Sequence, residues 1–103
     1  MSERLEYQEC YHKFAHESAI NAMVVSPDGR RLVTGSNDST VLVWSTQSGS
    51  ILCHIKAHCP VISIAWLANE NRFLFGCQNG MLASVGLSEV RDTESAWSAP
   101  ASG

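Results

Sequence analysis

Residues 20–44 read Ile20-Asn21-Ala22-Met23-Val24-Val25-Ser26-Pro27-Asp28-Gly29-Arg30-Arg31-Leu32-Val33-Thr34-Gly35-Ser36-Asn37-Asp38-Ser39-Thr40-Val41-Leu42-Val43-Trp44. Three short apolar runs are separated here by two polar turns. In Ser26-Pro27-Asp28-Gly29 the proline presets φ and the glycine accepts positive φ, which is turn chemistry with a mechanism. Asn37-Asp38-Ser39 forms the second turn. Thr40 to Trp44 is β-branched and apolar, as a strand between two layers should be. Further on, Gln47-Ser48-Gly49 is a third turn and Ile51-Leu52-Cys53-His54-Ile55 a fourth strand. No stretch of the chain keeps helical spacing over three turns.

The same unit recurs. Ile20 to Val25 aligns with Val61 to Trp66, and Arg31 to Gly35 with Arg72 to Gly76, because 61 − 20 and 76 − 35 both equal 41. Upstream, Ala15-His16 aligns with Ala57-His58 at an offset of 42, so one residue is lost after the histidine of the second copy. Four short antiparallel strands in roughly 41 residues is the pattern of a propeller blade. The second copy is the more degenerate: Leu67-Ala68-Asn69-Glu70 stands where Ser26-Pro27-Asp28-Gly29 stands in the first. Trp66 replaces Val25 and can recover apolar contact.

His16, Ser26-Pro27-Asp28-Gly29, Leu32-Val33-Thr34-Gly35-Ser36, Asp38 and Val43-Trp44 together resemble the WD-repeat family of β-propellers. Two departures stand out, Ala15-His16 for the family's Gly-His and Trp44-Ser45 for its Trp-Asp. The resemblance covers about residues 5 to 87 in two copies. It implies an all-β fold, a partial β-propeller of about two four-stranded antiparallel blades, open to being a fragment of a larger ring. It also implies a buried hydrogen-bond relay through His16, Thr34, Asp38 and Trp44. The second copy keeps His58 but has Phe75, Asn79 and Val85 at the other three positions, so the relay cannot form there and that blade should be softer, with His58 facing solvent. The hydroxyl, imidazole and carboxylate of the first copy look like a catalytic set. A nucleophile must face a cleft, however, whereas these groups satisfy one another from indole N–H to carboxylate. No catalytic residue is assigned.

Residues 1–15 are expected to supply an outer strand of a preceding blade, within Leu5 to Phe14. Residues 16–56 then form the first repeat, 57–87 a degenerate and incomplete second, and 88–103 a flexible tail whose Trp97 is either a lone exposed aromatic or an anchor.

The chain has 103 residues, 45% hydrophobic and 17% charged, with a net charge of −3. Ten acidic against seven basic residues leave no basic footprint for nucleic acid. The longest mainly apolar run, Val61 to Ala68, is far short of the roughly 20 residues a membrane span needs. Met1-Ser2-Glu3-Arg4-Leu5-Glu6 contains no apolar core of a secretory signal, so a cytoplasmic or nuclear location is expected. Cys10, Cys53, Cys59 and Cys77 are therefore read as reduced thiols. Cys53-His54 with His58-Cys59 offers four metal-ligating groups within seven residues, but Cys53 and His54 would point to opposite faces of a strand. No metal and no cofactor is assigned. Asn37-Asp38-Ser39 matches a glycosylation triplet that a tight turn disfavours, and Arg30-Arg31 reads as a solvated turn rather than a phosphate site.

These features predict a noncatalytic module that binds proteins or peptides, with Ser18, Asn21, Asn37 and Gln78 as candidate contact residues at the strand ends. The alternative is a truncated piece of a longer propeller with no independent role. Against a repeat of 41, the length makes about two and a half blades where rings take roughly 4 to 8. Self-association through unpaired strands, with Leu5 to Phe14 completing a neighbouring copy, is a further expectation.

Overall fold

In the computed structural model, residues 3–8 and 14–88 are described, and they contain seven strands and no helix. β1 (Ile20–Val25), β2 (Arg31–Ser36), β3 (Thr40–Ser45) and β4 (Ile51–Lys56) form an antiparallel sheet in sequence order. β5 (Val61–Trp66), β6 (Arg72–Cys77) and β7 (Leu82–Gly86) form a second one. The second sheet thus has three strands among the described residues where the first has four.

Each turn follows from its residues. Gly29 takes φ +76°, and its N–H closes on Ser26 O at 2.9 Å, while Asp28 Oδ1 accepts from Ser26 Oγ at 2.6 Å and from the Arg30 N–H at 3.0 Å. In the second copy the left-handed residue is Asn69, at φ 66°, one position earlier in the turn. Asparagine tolerates that region far better than the leucine or alanine beside it. The indole N–H of Trp66 then donates to Glu70 O at 2.7 Å, and its ring lies 5.7 Å from that of Phe73.

Strand pairing fixes which side chains share a face. Val24, Val33, Val43 and Cys53 line up across the first sheet, and Trp66, Phe73 and Val85 across the second. These two faces pack together around Val33, Val41, Val43, Val61, Phe73 and Phe75, all buried. Burying each such side chain stabilises the fold by about 2 kcal/mol. The approach is close at Gly35, where an added Cβ would lie 2.5 Å from Val61 Cγ1 and 3.0 Å from Ile64 Cδ1. The opposite face of the first sheet stays open, with Met23 62% and Val25 51% exposed.

The reading of reduced thiols is corrected for two of the four cysteines. Cys59, just before β5, and Cys77, at the end of β6, are paired as a disulfide, with Cα atoms 6.0 Å apart. Eighteen residues separate them in the chain, and only the hairpin of β5 and β6 brings them together. Cys53 is a free, half-buried thiol. His54 and His58 are exposed, and no three His, Cys, Asp or Glu side chains gather into a metal-binding group among the described residues.

Of the segment from Leu5 to Phe14, residues 5–8 and 14 are described and form no strand. Leu5, Tyr7 and Phe14 are almost fully exposed. Residues 9–13, including Cys10, lie outside the described residues, as does the stretch 89–103 with Trp97. No described helix is long and apolar enough to cross a membrane.

Candidate functional site

Thr34 lies on β2 beside Leu42 of β3, and Trp44 is two residues further along the same face, paired with Leu32. This diagonal brings the Trp44 indole N–H to Thr34 Oγ1, at 3.0 Å. His16 precedes β1 and crosses over the same face, with Nε2 2.8 Å from Thr34 Oγ1. Its Nδ1 is 3.2 Å from Asp38 Oδ2 and 3.0 Å from Thr40 Oγ1. Two directions of donation follow by elimination. Indole N–H can only donate, so Thr34 Oγ1 accepts from Trp44. The Asp38 carboxylate can only accept and the Thr40 hydroxyl already donates to it, so His16 Nδ1 is the donor toward Asp38, while the direction of the Thr34–His16 Nε2 bond is set by the protonation of Nε2.

Asp38 closes the chain of bonds. Burial pushes its carboxyl pKa up, but hydrogen bonds from the Thr40 hydroxyl, the Glu17 N–H, His16 and the Thr40 N–H outweigh burial and lower it from 3.8 to about 2. Two of these donors, the Glu17 N–H at 2.8 Å and the Thr40 N–H at 3.0 Å, are backbone groups of the flanking segments. The carboxylate therefore ties the segment before β1 to the β2–β3 turn. Thr34 is only 3% exposed, and its hydroxyl is engaged on both sides, by the Trp44 indole and by His16. Charge-assisted bonds that polarise one another rigidify such a cluster.

In the second copy Phe75 and Val85 turn toward the first sheet as apolar core, and Asn79 Oδ1 retains only the turn bond, accepting from the Met81 N–H at 3.0 Å. His58, in a left-handed conformation at φ 66°, is exposed.

Ser18, Asn21, Asn37 and Gln78 are all exposed and sit at the end of the sheets where β1 and β5 begin and β2 and β6 finish. Asn21 Nδ2 donates to Asn37 Oδ1 at 2.7 Å and to Val61 O, across in the second sheet, at 2.9 Å. Asn37 and Gln78 are further fixed through their own N–H groups, on Ala19 O at 3.0 Å and Pro60 O at 2.8 Å. Ser18 contributes its carbonyl, which accepts from Ser36 Oγ at 3.3 Å. Sequence reasoning missed Ser36, fully buried, and Thr40, which caps Asp38. The Asp-x-Thr spacing of an Asx turn could have signalled the latter.

On the face of the first sheet turned away from the second, Ile20, Met23, Leu32 and Trp44 line an apolar hollow of about 400 Å³. The counterparts of Met23 and Leu32 at the 41-residue offset are Ile64 and Phe73, which pack between the sheets.

Residues 8–45 match the family described as WD domain, G-beta repeat. Human WD repeat-containing protein 86 is 38% identical over 58 residues, 56% of this chain and 15% of that protein. WD repeat-containing protein 38 of Mus musculus is 49% identical over 37 residues, 36% of this chain and 12% of that protein. The chain thus spans less than a sixth of the length of these relatives. Among solved structures, the computationally designed Ika4 protein superposes with a TM-score of 0.63 at 26% identity, covering 71% of this chain and 44% of that one.

Proposed function

Because the chain belongs to the WD-repeat family through its first repeat, we propose that it is a noncatalytic protein-interaction module of the cytoplasm or nucleus that recognises a protein or peptide at the sheet-end surface of Ser18, Asn21, Asn37 and Gln78. WD-repeat proteins generally act as protein-interaction scaffolds, which is the footing for this reading. The observation that carries it is the division of polar groups. His16, Thr34 and Asp38 satisfy one another in the interior, while the Asn21, Asn37 and Val61 bonds hold an exposed polar surface in a set position across two sheets. Preorganised polar groups lose little freedom on binding. The repeats are taken as residues 16–56 and 57–87, and neither nucleic acid nor membrane is part of the proposal.

A second reading treats the chain as one part of a larger propeller. It is favoured by the open face of β1 to β3, whose counterparts in the second copy are covered by a preceding sheet. Affinity capture compares the wild type with Asn37→Arg and Gln78→Arg, which leave the Asn21 bond to Val61 in place. Loss of captured proteins with unchanged circular dichroism upholds the interaction surface. Undiminished capture rejects it, and capture that appears only when further repeats are supplied favours the second reading.

A further inference from the structure

The two repeats fasten the end of their second strand to the segment before their first by different chemistry. In the first repeat the fully buried Ser36 hydroxyl donates to Ser18 O at 3.3 Å and accepts from the Asp38 N–H at 3.0 Å. At the 41-residue offset, 77 − 36 and 59 − 18, the counterparts are Cys77 and Cys59. The backbone around them corresponds bond for bond: the Asn37 N–H to Ala19 O bond, 3.0 Å, recurs as Gln78 N–H to Pro60 O, 2.8 Å. A hydrogen-bonded serine contact has thus become a cysteine pair.

The geometry of the site suits both redox states, of which the structure shows the disulfide. A Cα separation of 6.0 Å falls inside the span of about 4.4–6.8 Å that disulfides occupy. Each sulfur also lies beside a carbonyl that would accept its thiol hydrogen, Cys59 Sγ at 3.5 Å from Ala57 O and Cys77 Sγ at 3.8 Å from Cys59 O. This is also the sheet without the His16, Thr34, Asp38 and Trp44 bonds, with Phe75, Asn79 and Val85 in the corresponding places.

We infer that Cys59 and Cys77 form a reversible redox clamp on the second sheet, closed by exchange with a low-molecular-weight disulfide. One cysteine thiolate attacks a sulfur of the small disulfide, forming a mixed disulfide and expelling one small thiolate. The second cysteine, as thiolate, attacks the protein sulfur of the mixed disulfide and expels the other. One small disulfide and two protein thiols become one protein disulfide and two small thiols. Two electrons pass to the small molecule, and both protons end on its thiols. With Cys59 6% and Cys77 4% exposed, the first attack requires local opening at this sheet end, so the clamp closes slowly.

The test uses the 103-residue chain equilibrated, folded, in mixtures of reduced and oxidised glutathione. Free thiols are then alkylated and the peptides mapped by mass spectrometry. The expected result is a single linked peptide pair, Cys59 with Cys77, formed in oxidising mixtures and lost in reducing ones, with Cys53 alkylated throughout. The oxidised chain should melt roughly 10 °C above the reduced one. Cys77→Ser, which restores the first repeat's residue, should fold and show no redox-dependent shift. No linkage in any mixture, linkage to another cysteine, a bond that reducing mixtures leave intact, or equal melting of both states would overturn the inference.

Discussion

Thr34→Val replaces a hydroxyl by a methyl of nearly the same shape and removes two hydrogen bonds at once. The Trp44 indole N–H loses its acceptor at 3.0 Å, and His16 Nε2 loses its partner at 2.8 Å. Water has little access on the His16 side, where Thr34 is 3% and His16 8% exposed. A buried polar group deprived of its partner costs about 1–3 kcal/mol. Trp44 is only half-buried, which puts its share at the low end, and the new methyl group returns a fraction of a kcal/mol. The expected net loss is about 2–3 kcal/mol, or roughly 10–20 °C in melting temperature for a domain of this size. Thr34→Ser keeps the hydroxyl and loses one buried methyl group, for about 1 kcal/mol. Urea and thermal unfolding followed by circular dichroism compare the three chains, and the double variant Thr34→Val with Trp44→Phe reports the coupling. If Val is as stable as Ser, or if the double variant is purely additive, the hydrogen-bonded account of this cluster is wrong.

Three other outcomes are expected. Gly35→Ala places a Cβ 2.5 Å from Val61 Cγ1, so it should cost about 1–3 kcal/mol by overpacking, and Val61→Ala should recover part of that in a thermal-melt cycle. Gly29→Ala meets no atom, but must hold φ +76°, so it should cost about 1 kcal/mol, with Gly29→Asn costing less because asparagine tolerates left-handed backbone. For Asp38 the folded pKa, about 2, lies below the ordinary 3.8, so its stabilisation is complete above pH 3.8 and fades as pH falls toward 2. After allowance for solvent screening this amounts to about 1–2 kcal/mol. The stability gap between wild type and Asp38→Asn should therefore narrow between pH 5 and pH 2, and a gap independent of pH would contradict the assignment.

Local chemistry acting over fewer than ten residues makes the strands legible in the sequence. Ser26-Pro27-Asp28-Gly29 could hardly be anything but a turn, and Thr40 to Val43 could hardly be a helix, because β-branching and turn residues act through their own backbone angles. The repeat carries this reading to β5, β6 and β7. The same logic stalls at Leu67-Ala68-Asn69-Glu70, where the left-handed residue moves from the glycine position to Asn69, since only the chain on both sides decides which residue must bend.

Which face of each sheet is buried is decided at a distance. Alternation shows that Val24, Val33 and Val43 share a side, but not that Ile64, Phe73 and Phe75 press against that side while Met23 and Val25 stay open. Likewise, two serines and two cysteines at a common offset carry no sign of contact until the hairpins bring them together. The Asn21 side chain shows the same dependence, reaching Val61 O forty residues on. Strands, turns and the repeat are thus written in the chain alone, because they depend on neighbours along it. The buried faces, the disulfide and the bond across the sheets arise from folding, because they depend on atoms that meet only when two hairpins close and two sheets stack.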